Sequence, residues 1–557
     1  MATLNPVELV TQAVAKARQY ADRGTAELHY VRKMFESGAL KLESPAAMAA
    51  MAADIARWGE IGMIPSVNAR RTPHRVAVHD DEGSLTFREL DDAVNAVANR
   101  MVEMGVVGGN GVAILARNHR WFLVANYACA RVGARTILLN TEFSGPQISD
   151  VADRESARLL IYDDEYSAAV SQANFELGKL RAFAEDGSGS DGDQILADVV
   201  KHGSKEPAPK PSRHASLVIL TSGTTGTPKG ATRGTPPTLA PIGGILSHVP
   251  FKAGEVTALP SPMFHALGYL HATIGMALGS TLILRRKFRP LTVAEDIEKY
   301  RATALVVVPV MLSRMLDALD SADRGYDLTS LRIVFVSGSQ LGAELATRAT
   351  KRLGPVLYNL YGSTEIAFAT IARPKDLDIN PATVGPIVKG AKVRILDENG
   401  KEVPQGEVGR IFVGNFMPFE GYTGGGGKQI IDGLLSSGDM GYFDDNGLLY
   451  VTGRDDEMIV SGGENVFPAE VEDLISGHPE VIEATAMGVE DSEYGARLRA
   501  FVVKQQNSGL DEEAVKLYVK EHLARYKVPR EVVFLEELPR NPTGKILKRE
   551  LRKIGGD

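Results

Sequence analysis

Cysteine is almost absent from this sequence, since Cys129 is the only one among 557 residues. An intrachain disulfide therefore cannot form, which is typical of proteins in a reducing compartment. Basic residues are not in excess either, because the formal net charge is −8 and the sequence pI is about 5.9. We therefore expect no general attraction to nucleic acid, although a local anion-binding site is compatible with this charge.

Targeting signals are also missing from the sequence. The first residues lack a charged segment followed by an apolar one, so we expect no signal peptide and a cytoplasmic location. The longest uncharged stretch, Val256–Leu284, has the length of a transmembrane helix. It is interrupted by prolines, glycines and a histidine, namely Pro260, Pro262, His265, Gly268 and Gly275. We therefore interpret this stretch as buried core around a cleft.

The composition is that of an ordinary globular protein, with 44% hydrophobic and 24% charged residues. This balance excludes a mostly disordered chain, a coiled coil and a collagen-like repeat. At ~100–200 residues per domain, the length predicts roughly three or four structural units. Changes in pattern along the chain predict a helical extension over residues 1–65, a large domain over 66–455 and a small domain over 456–557.

Short β-branched runs alternate with helical patterns in the predicted large domain. Predicted strands are Val112–Leu115, Leu217–Leu220, Ile333–Val336 and Val356–Leu360, and predicted helices are Phe87–Met104 and Trp121–Gly133. Such alternation indicates parallel, doubly wound sheets. Ala391–Leu396 and Val408–Val413 predict a later, smaller β unit, and Asp511–Tyr526 predicts an amphipathic helix capped by Asp511. We therefore predict an α/β protein with a large N-terminal domain of doubly wound sheets, a small β unit and a mobile α+β C-terminal domain.

The extension over residues 1–65 is rich in alanine and has helical patterns at Val7–Tyr20 and Pro45–Trp58. Two interpretations of it stay open. It is either a helical preface packed on the surface or an arm that touches a membrane or a second copy of the chain.

A loop rich in glycine and hydroxyl groups follows the strand Leu217–Leu220. Its candidate phosphate-binding residues are Thr221, Ser222, Gly223, Thr224, Thr225 and Lys229. Glycines allow backbone N–H groups to converge, hydroxyls add donors, and Lys229 adds positive charge, which together favour polyphosphate binding. The loop is not a Walker A motif, because Gly230 follows Lys229. A plain surface loop remains the alternative.

Four further segments follow this loop in order. They are Pro262-Met263-Phe264-His265, Tyr361-Gly362-Ser363-Thr364-Glu365, Ser437-Gly438-Asp439 with Gly453-Arg454, and Pro542-Thr543-Gly544-Lys545. Together with Val218–Lys229 they resemble the acyl-adenylate-forming superfamily of AMP-binding enzymes. The resemblance runs from about Ile64 to Ile554 and is greatest to fatty-acyl-CoA ligases. It implies that ATP and a carboxylic acid give acyl-AMP and pyrophosphate, and that CoA then gives a thioester and AMP.

The nucleotide site is expected beyond the carboxyl ends of the strands, where doubly wound sheets bind ligands. The resemblance implies that adenine is bordered by Gly338, Ser339 and Gln340 and stacks on Tyr361, which precedes Gly362 and Ser363. Asp439 would accept hydrogen bonds from both ribose hydroxyls, and Arg454 would reach the ribose or a phosphate. Core packing of Tyr361 and a surface ion pair between Asp439 and Arg454 stay open.

A divalent cation is expected because ATP is highly charged, and Mg²⁺ usually binds few protein oxygens plus phosphate oxygens. We predict Glu365 as a Mg²⁺ ligand, with Thr221 or a phosphate oxygen as co-ligand, and Thr364 beside it in the catalytic motif. The resemblance gives Glu365 the same role. A solvated carboxylate at a helix start is the alternative.

The resemblance implies further roles for polar and glycine residues near the domain boundary and elsewhere. Lys545 would bridge the substrate carboxylate and the α-phosphate, and His265 would stand between the acyl and CoA tunnels. Asp456 would be the hinge between the domains. The CoA tunnel would be bordered by Ser461, Gly462, Gly463, Glu464 and Asn465. An exposed lysine in a basic tail, a core histidine and an ordinary β-turn are the respective alternatives.

Two departures from the family pattern stand out. The family usually has threonine where this chain has Ser437, and Thr423–Gly427 is rich in glycine where relatives often carry asparagine, proline and acidic residues. This loop is either an altered lid or a surface linker.

The expected partners are ATP, CoA and an apolar carboxylic acid, most simply a fatty acid, without nucleic acid. A peripheral membrane contact and a homodimer stay open. Alternative functions are an adenylate-forming ligase with a free carrier protein as acceptor, since no carrier domain is appended, a luciferase-like oxidation and a catalytically silent acyl or nucleotide binder.

Overall fold

The computed structural model describes residues 23–185, 193–221, 229–233, 238–415, 417, 419–423, 425–455, 457, 459–461, 464–491, 495–523, 527–541 and 544–554. Its helices are α1 (residues 23–37), α2 (Pro45–Gly62), α3 (Ile64–Arg71), α4 (Phe87–Glu103), α5 (Arg120–Arg131), α6 (Gly145–Arg154), α7 (Ser167–Val170), α8 (Leu196–His202), α9 (Ala240–Leu246), α10 (Ala266–Ala277), α11 (Pro290–Tyr300), α12 (Pro309–Asp320), α13 (Ala343–Leu353), α14 (Pro374–Ile379), α15 (Pro468–Ser476), α16 (Glu512–His522) and α17 (Lys548–Ile554).

The strands occur between these helices and dominate the second half of the chain. They are β1 (Val76–Asp80), β2 (Gly83–Thr86), β3 (Gly111–Leu115), β4 (Arg135–Leu138), β5 (Ala157–Tyr162), β6 (Lys179–Arg181), β7 (Gln194–Ile195), β8 (Ser216–Thr221), β9 (Lys229–Arg233), β10 (Val256–Ala258), β11 (Thr281–Ile283), β12 (Ala304–Val307), β13 (Ile333–Val336), β14 (Leu357–Ser363), β15 (Ala367–Ala372), β16 (Lys392–Leu396), β17 (Gly409–Gly414), β18 (Phe419–Tyr422), β19 (Ile430–Ile431), β20 (Leu434–Phe443), β21 (Leu449–Arg454), β22 (Ile459–Ser461), β23 (Glu464–Val466), β24 (Val481–Asp491), β25 (Gly495–Lys504) and β26 (Glu531–Phe534).

Two eight-stranded sheets form the large N-terminal domain. One has the order β15-β14-β13-β12-β10-β11-β1-β2, and the other β18-β9-β8-β4-β3-β5-β6-β7. The strands from β14 to β1 run parallel in the first sheet, and those from β8 to β7 run parallel in the second. Parallel strands require cover on both faces, which the intervening helices provide. The prediction of doubly wound α/β sheets is therefore confirmed.

Two smaller sheets follow along the chain. The first is antiparallel, with the order β16-β17-β20-β19 and β21 paired to β20. The second belongs to the smaller C-terminal domain, with the order β23-β22-β25-β24 and β26 paired to β25. Helices α15 and α16 pack on this second sheet through the buried residues Val471, Ile475, Val515 and Val519. The predicted small β unit and the α+β C-terminal domain are thus confirmed, whereas the mobility of that domain stays a prediction.

Helix boundaries follow the local capping chemistry. Helix α4 begins with a capping box, in which the backbone N–H of Glu89 donates to Thr86 Oγ1 (3.3 Å) and the backbone N–H of Thr86 donates to Glu89 Oε2 (2.8 Å). Asp511 caps α16 as its position predicts, because it accepts from the backbone N–H of Ala514 at 2.9 Å. The sequence prediction that this helix reaches Tyr526 is wrong, since Leu523 is already extended.

The uncharged stretch Val256–Leu284 lies within the large domain as β10, α10 and β11. Its side chains Ile274, Met276 and Leu282 belong to the main hydrophobic core, as predicted. Over the part of the chain that the structure describes, no helix combines the length and apolar character that a bilayer crossing needs.

The N-terminal extension packs on the large domain through α1 and α2. Tyr30 on α1 is 0% exposed and lies so close to α9 that a Cβ atom on Gly243 would be 2.4 Å from the Tyr30 Cβ. The Tyr30 hydroxyl donates to the carbonyl oxygen of Lys389 at 2.5 Å. The Glu27 carboxylate accepts from Thr238 Oγ1 (2.5 Å) and the Leu239 N–H (3.0 Å), which satisfies donors at the start of α9.

Helix α2 is fixed mainly by Trp58. The Arg131 guanidinium carbon lies 4.4 Å from the centroid of the Trp58 ring, and that of Arg57 lies 4.8 Å away. The indole N–H donates to the carbonyl oxygen of Ala208 at 3.3 Å. The described part of the extension therefore fits the interpretation as a surface-packed preface, and the predicted helix at Val7–Tyr20 lies outside the described residues.

Replacing Tyr30 by alanine is expected to destabilise the protein by about 3–5 kcal/mol, because a fully buried aromatic side chain is removed. Replacing it by phenylalanine removes one hydrogen bond and is expected to cost about 1 kcal/mol. Urea unfolding followed by tryptophan fluorescence checks both values. The control is Leu28→Ala on the same helix, since Leu28 is 73% exposed. Equal stability of Tyr30→Ala and Leu28→Ala would contradict the observed packing.

Candidate active site

The predicted phosphate loop lies between two paired strands. Strand β8 ends at Thr221 and β9 begins at Lys229, and these two residues face each other in an antiparallel register. The intervening candidates Ser222, Gly223, Thr224 and Thr225 lie outside the described residues. The Lys229 ammonium is 5.5 Å from the centroid of the Tyr422 ring, which belongs to the neighbouring strand β18. The two residues that flank the loop therefore lie side by side on neighbouring strands of the second eight-stranded sheet.

Glu365 stands in a tight turn between β14 and β15. Its carboxylate accepts hydrogen bonds from Ser363 Oγ at 2.8 Å and from the Tyr422 hydroxyl at 2.7 Å. Thr364 occupies the same turn. Gly362 is required just before it, because a Cβ atom there would be 2.0 Å from the Ala367 carbonyl oxygen. The backbone therefore fixes the direction in which the Glu365 side chain leaves the sheet.

The donor set at Glu365 fits a Mg²⁺ ion that is bound mainly by a substrate. Each carboxylate oxygen can accept more than one hydrogen bond or ligand, so the two hydroxyl contacts leave acceptor capacity on both oxygens. Among the described residues, no group of three or more His, Cys, Asp or Glu side chains forms a metal cluster. Mg²⁺ commonly uses one or two carboxylates together with phosphate oxygens and water, and Glu365 can supply the carboxylate.

Tyr361, Asp439 and Arg454 form a contiguous polar group. The Tyr361 hydroxyl donates to Asp439 Oδ2 at 2.6 Å, and Arg454 donates to Asp439 Oδ1 at 3.1 Å. Asp439 and Arg454 are direct partners in the β20–β21 register. Burial raises the pKa of Tyr361 well above its usual value, so its hydroxyl acts as a donor. Burial also raises the pKa of Asp439, an effect that Tyr361 and Arg454 oppose.

Ser437 supports the turn that carries Asp439. Its hydroxyl donates to the carbonyl oxygen of Ile411 at 3.1 Å and accepts from the Asp439 N–H at 3.0 Å. The substitution of the usual threonine by Ser437 therefore keeps the hydroxyl that shapes this turn.

The predicted adenine-binding residues follow the carboxyl end of β13. Gly338 has a positive φ of 98° and packs near Val308, and Ser339 follows it. The Gln340 side-chain amide donates to Asp473 Oδ2 of the C-terminal domain at 2.9 Å, and its place beside the base stays a prediction. In this arrangement the Gln340 amide is held by α15, and the sequence offers no signal for that contact.

Asp473 lies at this contact between the domains, and the residue as a whole remains exposed. Local desolvation and the nearby charges of Glu472 and Glu470 raise the pKa of Asp473 to about 7, whereas the hydrogen bond from Gln340 opposes the shift. Glu472 is itself 3.3 Å from the Lys548 ammonium, and Glu470 is 2.6 Å from the Lys527 ammonium. The Asp473 carboxyl group therefore holds its proton to a higher pH than an isolated aspartate does.

We expect the contact to weaken as the pH rises through about 7. Undocking would remove the local desolvation that contributes most to the raised pKa of Asp473, so the docked arrangement binds the proton more tightly and acid favours docking. Limited proteolysis of the domain boundary between pH 6 and 8 measures this change. Asp473→Asn mimics the neutral carboxyl group and should make the proteolysis rate independent of pH over this range. An unchanged pH dependence in this variant would contradict the assignment of the effect to Asp473.

His265 lies at the start of α10, next to Phe264. The ring centroids of the two side chains are 4.4 Å apart, and His265 Nε2 is buried without a hydrogen-bond partner. Burial lowers the pKa of His265 to about 4, so the ring is neutral near pH 7. A neutral, unpaired imidazole against an aromatic ring can serve as a wall that also accepts a hydrogen bond.

The turn that carries Lys545 is seated against the large domain. A Cβ atom on Gly544, whose φ is 78°, would be 2.1 Å from Val310 Cγ1 and 3.7 Å from Val308 Cγ2. The Lys545 N–H donates to Asn541 Oδ1 at 2.8 Å, which closes the turn. Because Gly338 also packs near Val308, the structure brings the Lys545 turn and the predicted adenine loop together.

The predicted hinge and CoA tunnel are only partly described. Asp456, Gly462 and Gly463 lie outside the described residues. The preceding Asp455 is fixed, because its N–H donates to the Gly438 carbonyl oxygen at 3.0 Å and its carboxylate accepts from Arg410 Nε at 2.9 Å. Ser461, Glu464 and Asn465 belong to the hairpin of β22 and β23, in which Ser461 pairs with Glu464.

Sequence reasoning missed Tyr422, Asp473 and Glu155. Glu155 is buried and accepts from Thr423 Oγ1 at 2.5 Å, while the Thr423 hydroxyl accepts from the Gly230 N–H at 3.1 Å. The only signal was the unusual Thr423–Gly427 loop, whose first residue is thus tied to the phosphate loop, while Gly425, Gly426 and Gly427 are exposed.

Comparisons with known proteins agree with this geometry. The AMP-binding enzyme family matches residues 66–423, and the C-terminal domain of AMP-binding enzymes matches residues 470–545. The chain is 32% identical to a feruloyl-CoA synthase from an Amycolatopsis species over 89% of this chain and 99% of that enzyme. It is 28% identical to the fatty acid–[acyl-carrier-protein] ligase ScoC of Streptomyces coeruleorubidus over 88% of this chain and 96% of that enzyme.

A solved structure is similar over nearly the same length. ATP-bound MatB from Rhodopseudomonas palustris superposes with a TM-score of 0.77 at 26% identity, over 89% of this chain and 99% of that chain. The chain therefore belongs to the AMP-binding enzyme family, as an adenylate-forming ligase.

Proposed function

We propose that this protein activates an apolar carboxylic acid, most simply a fatty acid, to acyl-AMP and then transfers the acyl group to CoA. In the first half-reaction a carboxylate oxygen attacks the α-phosphorus of ATP, and pyrophosphate leaves. In the second the CoA sulfur attacks the acyl carbon, and AMP leaves. ATP supplies the leaving group, so the protein has to position the reactants and stabilise charge.

The observation that carries this proposal is the seating of the Lys545 turn beside Gly338. Both turns pack near Val308, which supports an approach of Lys545 from the C-terminal domain to the predicted adenine loop. We assign to Lys545 the role of holding the substrate carboxylate near the α-phosphate, since two anions repel each other without a cation.

We assign the nucleotide to the surface formed by the carboxyl ends of β13 and β14 and by Asp439 of β20. Asp439 would accept from the ribose hydroxyls, with Arg454 beside it and Tyr361 as the stacking surface for adenine. The residues proposed to surround the base and the phosphates are Gly338, Ser339, Gln340, Gly362, Ser363, Thr221, Ser222, Gly223, Thr224, Thr225 and Lys229. Glu365 would hold Mg²⁺ beside Thr364, and this ion supplies charge neutralisation on the phosphates when bound.

We assign the acyl group to the region around α10, where His265 would form a wall of the tunnel. The buried apolar side chains of the Val256–Leu284 stretch favour an apolar substrate. For the thioester step we propose that the C-terminal domain rotates about Asp456. That rotation would withdraw Lys545 and bring the segment Ser461–Asn465 to the site.

A carrier protein is the second candidate acceptor, because the similar ligase ScoC is named for an acyl-carrier-protein substrate.

ATP–pyrophosphate exchange across a panel of fatty and aromatic acids tests the first half-reaction and identifies the acid. Thioester formation with free CoA or with phosphopantetheinylated carrier protein identifies the acceptor. Failure of every acid to support exchange in the presence of Mg²⁺ would overturn the proposal, and faster exchange with aromatic acids would overturn the fatty substrate.

A further inference from the structure

Tyr422 occupies a central position that its surface-loop sequence does not indicate. Its hydroxyl donates to Glu365 Oε1 at 2.7 Å, and its ring lies 5.5 Å from the Lys229 ammonium. One side chain thus contacts both the proposed Mg²⁺ ligand and the lysine of the phosphate loop. We propose that Tyr422 is a positioning residue that holds the Glu365 carboxylate in the orientation needed to receive a Mg²⁺–nucleotide complex, an inference that rests on the proposed function.

The backbone of Tyr422 is fixed to the phosphate loop. Strand β18 pairs antiparallel with β9, so that Tyr422 faces Ala231 in the register. The Thr423 N–H donates to the carbonyl oxygen of Gly230 at 2.7 Å. Any shift of the strand that leaves the phosphate loop is therefore transmitted to Tyr422.

Thr423 is anchored in turn by a buried carboxylate. Its hydroxyl donates to Glu155 Oε1 at 2.5 Å and accepts from the Gly230 N–H at 3.1 Å. Glu155 is 0% exposed and is held by Arg135 and Arg154, each at 3.0 Å. A charged group that is buried and fully paired keeps one geometry, because losing a partner is costly. The anchor is therefore rigid.

The orientation of the Tyr422 ring is also restricted. Phe419, on the same strand, packs edge-on against it with ring centroids 5.0 Å apart and an interplanar angle of 72°. A tyrosine hydroxyl is protonated near neutral pH, so Tyr422 acts as the donor to the Glu365 carboxylate. The Tyr422 hydroxyl donates to one oxygen of the Glu365 carboxylate, and Ser363 Oγ donates to the other. These two hydrogen bonds fix the plane of the carboxylate and leave its remaining acceptor capacity for a cation.

Tyr422→Phe removes only the hydroxyl and tests the proposal by calorimetry. The titrant is α,β-methylene-ATP, which cannot be cleaved at the reacting bond, with either Mg²⁺ or EDTA present. The loss of one hydrogen bond to a charged group typically changes a binding constant by ~10-fold. We therefore expect Tyr422→Phe to lower the Mg²⁺-dependent gain in affinity by about 10-fold, with unchanged affinity in EDTA.

Tyr450→Phe is the matched control, because Tyr450 donates a comparable hydrogen bond to Asp444 Oδ2 at 3.2 Å away from the site. It should leave both affinities unchanged. An unchanged Mg²⁺-dependent gain in Tyr422→Phe, or an equal loss of affinity in EDTA, would overturn the proposal. Since the titration requires no turnover, it tests the role of Tyr422 independently of the exchange assay. Absence of pyrophosphate exchange in the unaltered protein would overturn only the proposed function.

Discussion

Replacing Lys545 by alanine is expected to slow acyl-AMP formation by on the order of 10²-fold or more, because one positive charge near the reacting centre is lost. Lys545 is the only charged residue of the described turn residues Gly544–Ile546, and this turn is packed on Val310. ATP–pyrophosphate exchange at saturating ATP and acid measures the effect. Thioester formation from supplied acyl-AMP and CoA should proceed at close to the original rate.

The matched control for Lys545→Ala is Lys553→Ala, because the Lys553 side chain is 70% exposed and its ion pair with Glu550 lies on the surface. Such surface substitutions rarely change stability by more than about 0.5 kcal/mol, and we expect full activity. Equal losses in both half-reactions of Lys545→Ala would refute the assignment of this lysine to the first step. Such a result would indicate a general role in folding or domain docking.

Replacing Asp439 by alanine is expected to weaken nucleotide binding by about 10²-fold, since hydrogen bonds to a charged group contribute about 1.5–3 kcal/mol. The variant also deprives the Tyr361 hydroxyl and Arg454 of their shared acceptor. Calorimetric titration with α,β-methylene-ATP measures the loss. Because the proposed ribose contact would be common to every acid, the loss should not depend on which acid is used as substrate.

A second aspartate provides the control for Asp439→Ala. Asp432 has a side-chain exposure of 70% and pairs with Arg394 on the surface of the small β unit. Asp432→Ala should leave nucleotide affinity unchanged. A loss of less than threefold in Asp439→Ala would contradict the assignment of this carboxylate to the ribose.

Much of the fold was predictable because it depends on local patterns. The strand Ile333–Val336 was predicted at its observed bounds, and helix α4 was predicted to within one residue. Both elements have strong local signals, a buried β-branched run in one and a capping box with an amphipathic face in the other. Strand β14 continues past the predicted end at Leu360 to Ser363, because pairing with β15 extends it, and such pairing is not visible in a single segment.

The family was predictable for a different reason. Its motifs contain residues whose chemistry matches a charged nucleotide, such as the carboxylate of Glu365 and the ammonium groups of Lys229 and Lys545. These residues lie far apart in the sequence, but they occur in short motifs in a fixed order. Their types and order were enough to indicate the family, which the comparisons confirmed.

The sequence by itself determined the doubly wound sheets and the family. Only the tertiary structure decided which groups contact each other: Tyr422 with Glu365, Gln340 with Asp473, and Tyr30 with the backbone of α9. The physical reason is that motifs and periodicity depend on neighbouring residues, whereas these contacts join segments distant in the chain. Their geometry depends on how whole sheets and helices pack, and on which buried polar groups then need partners.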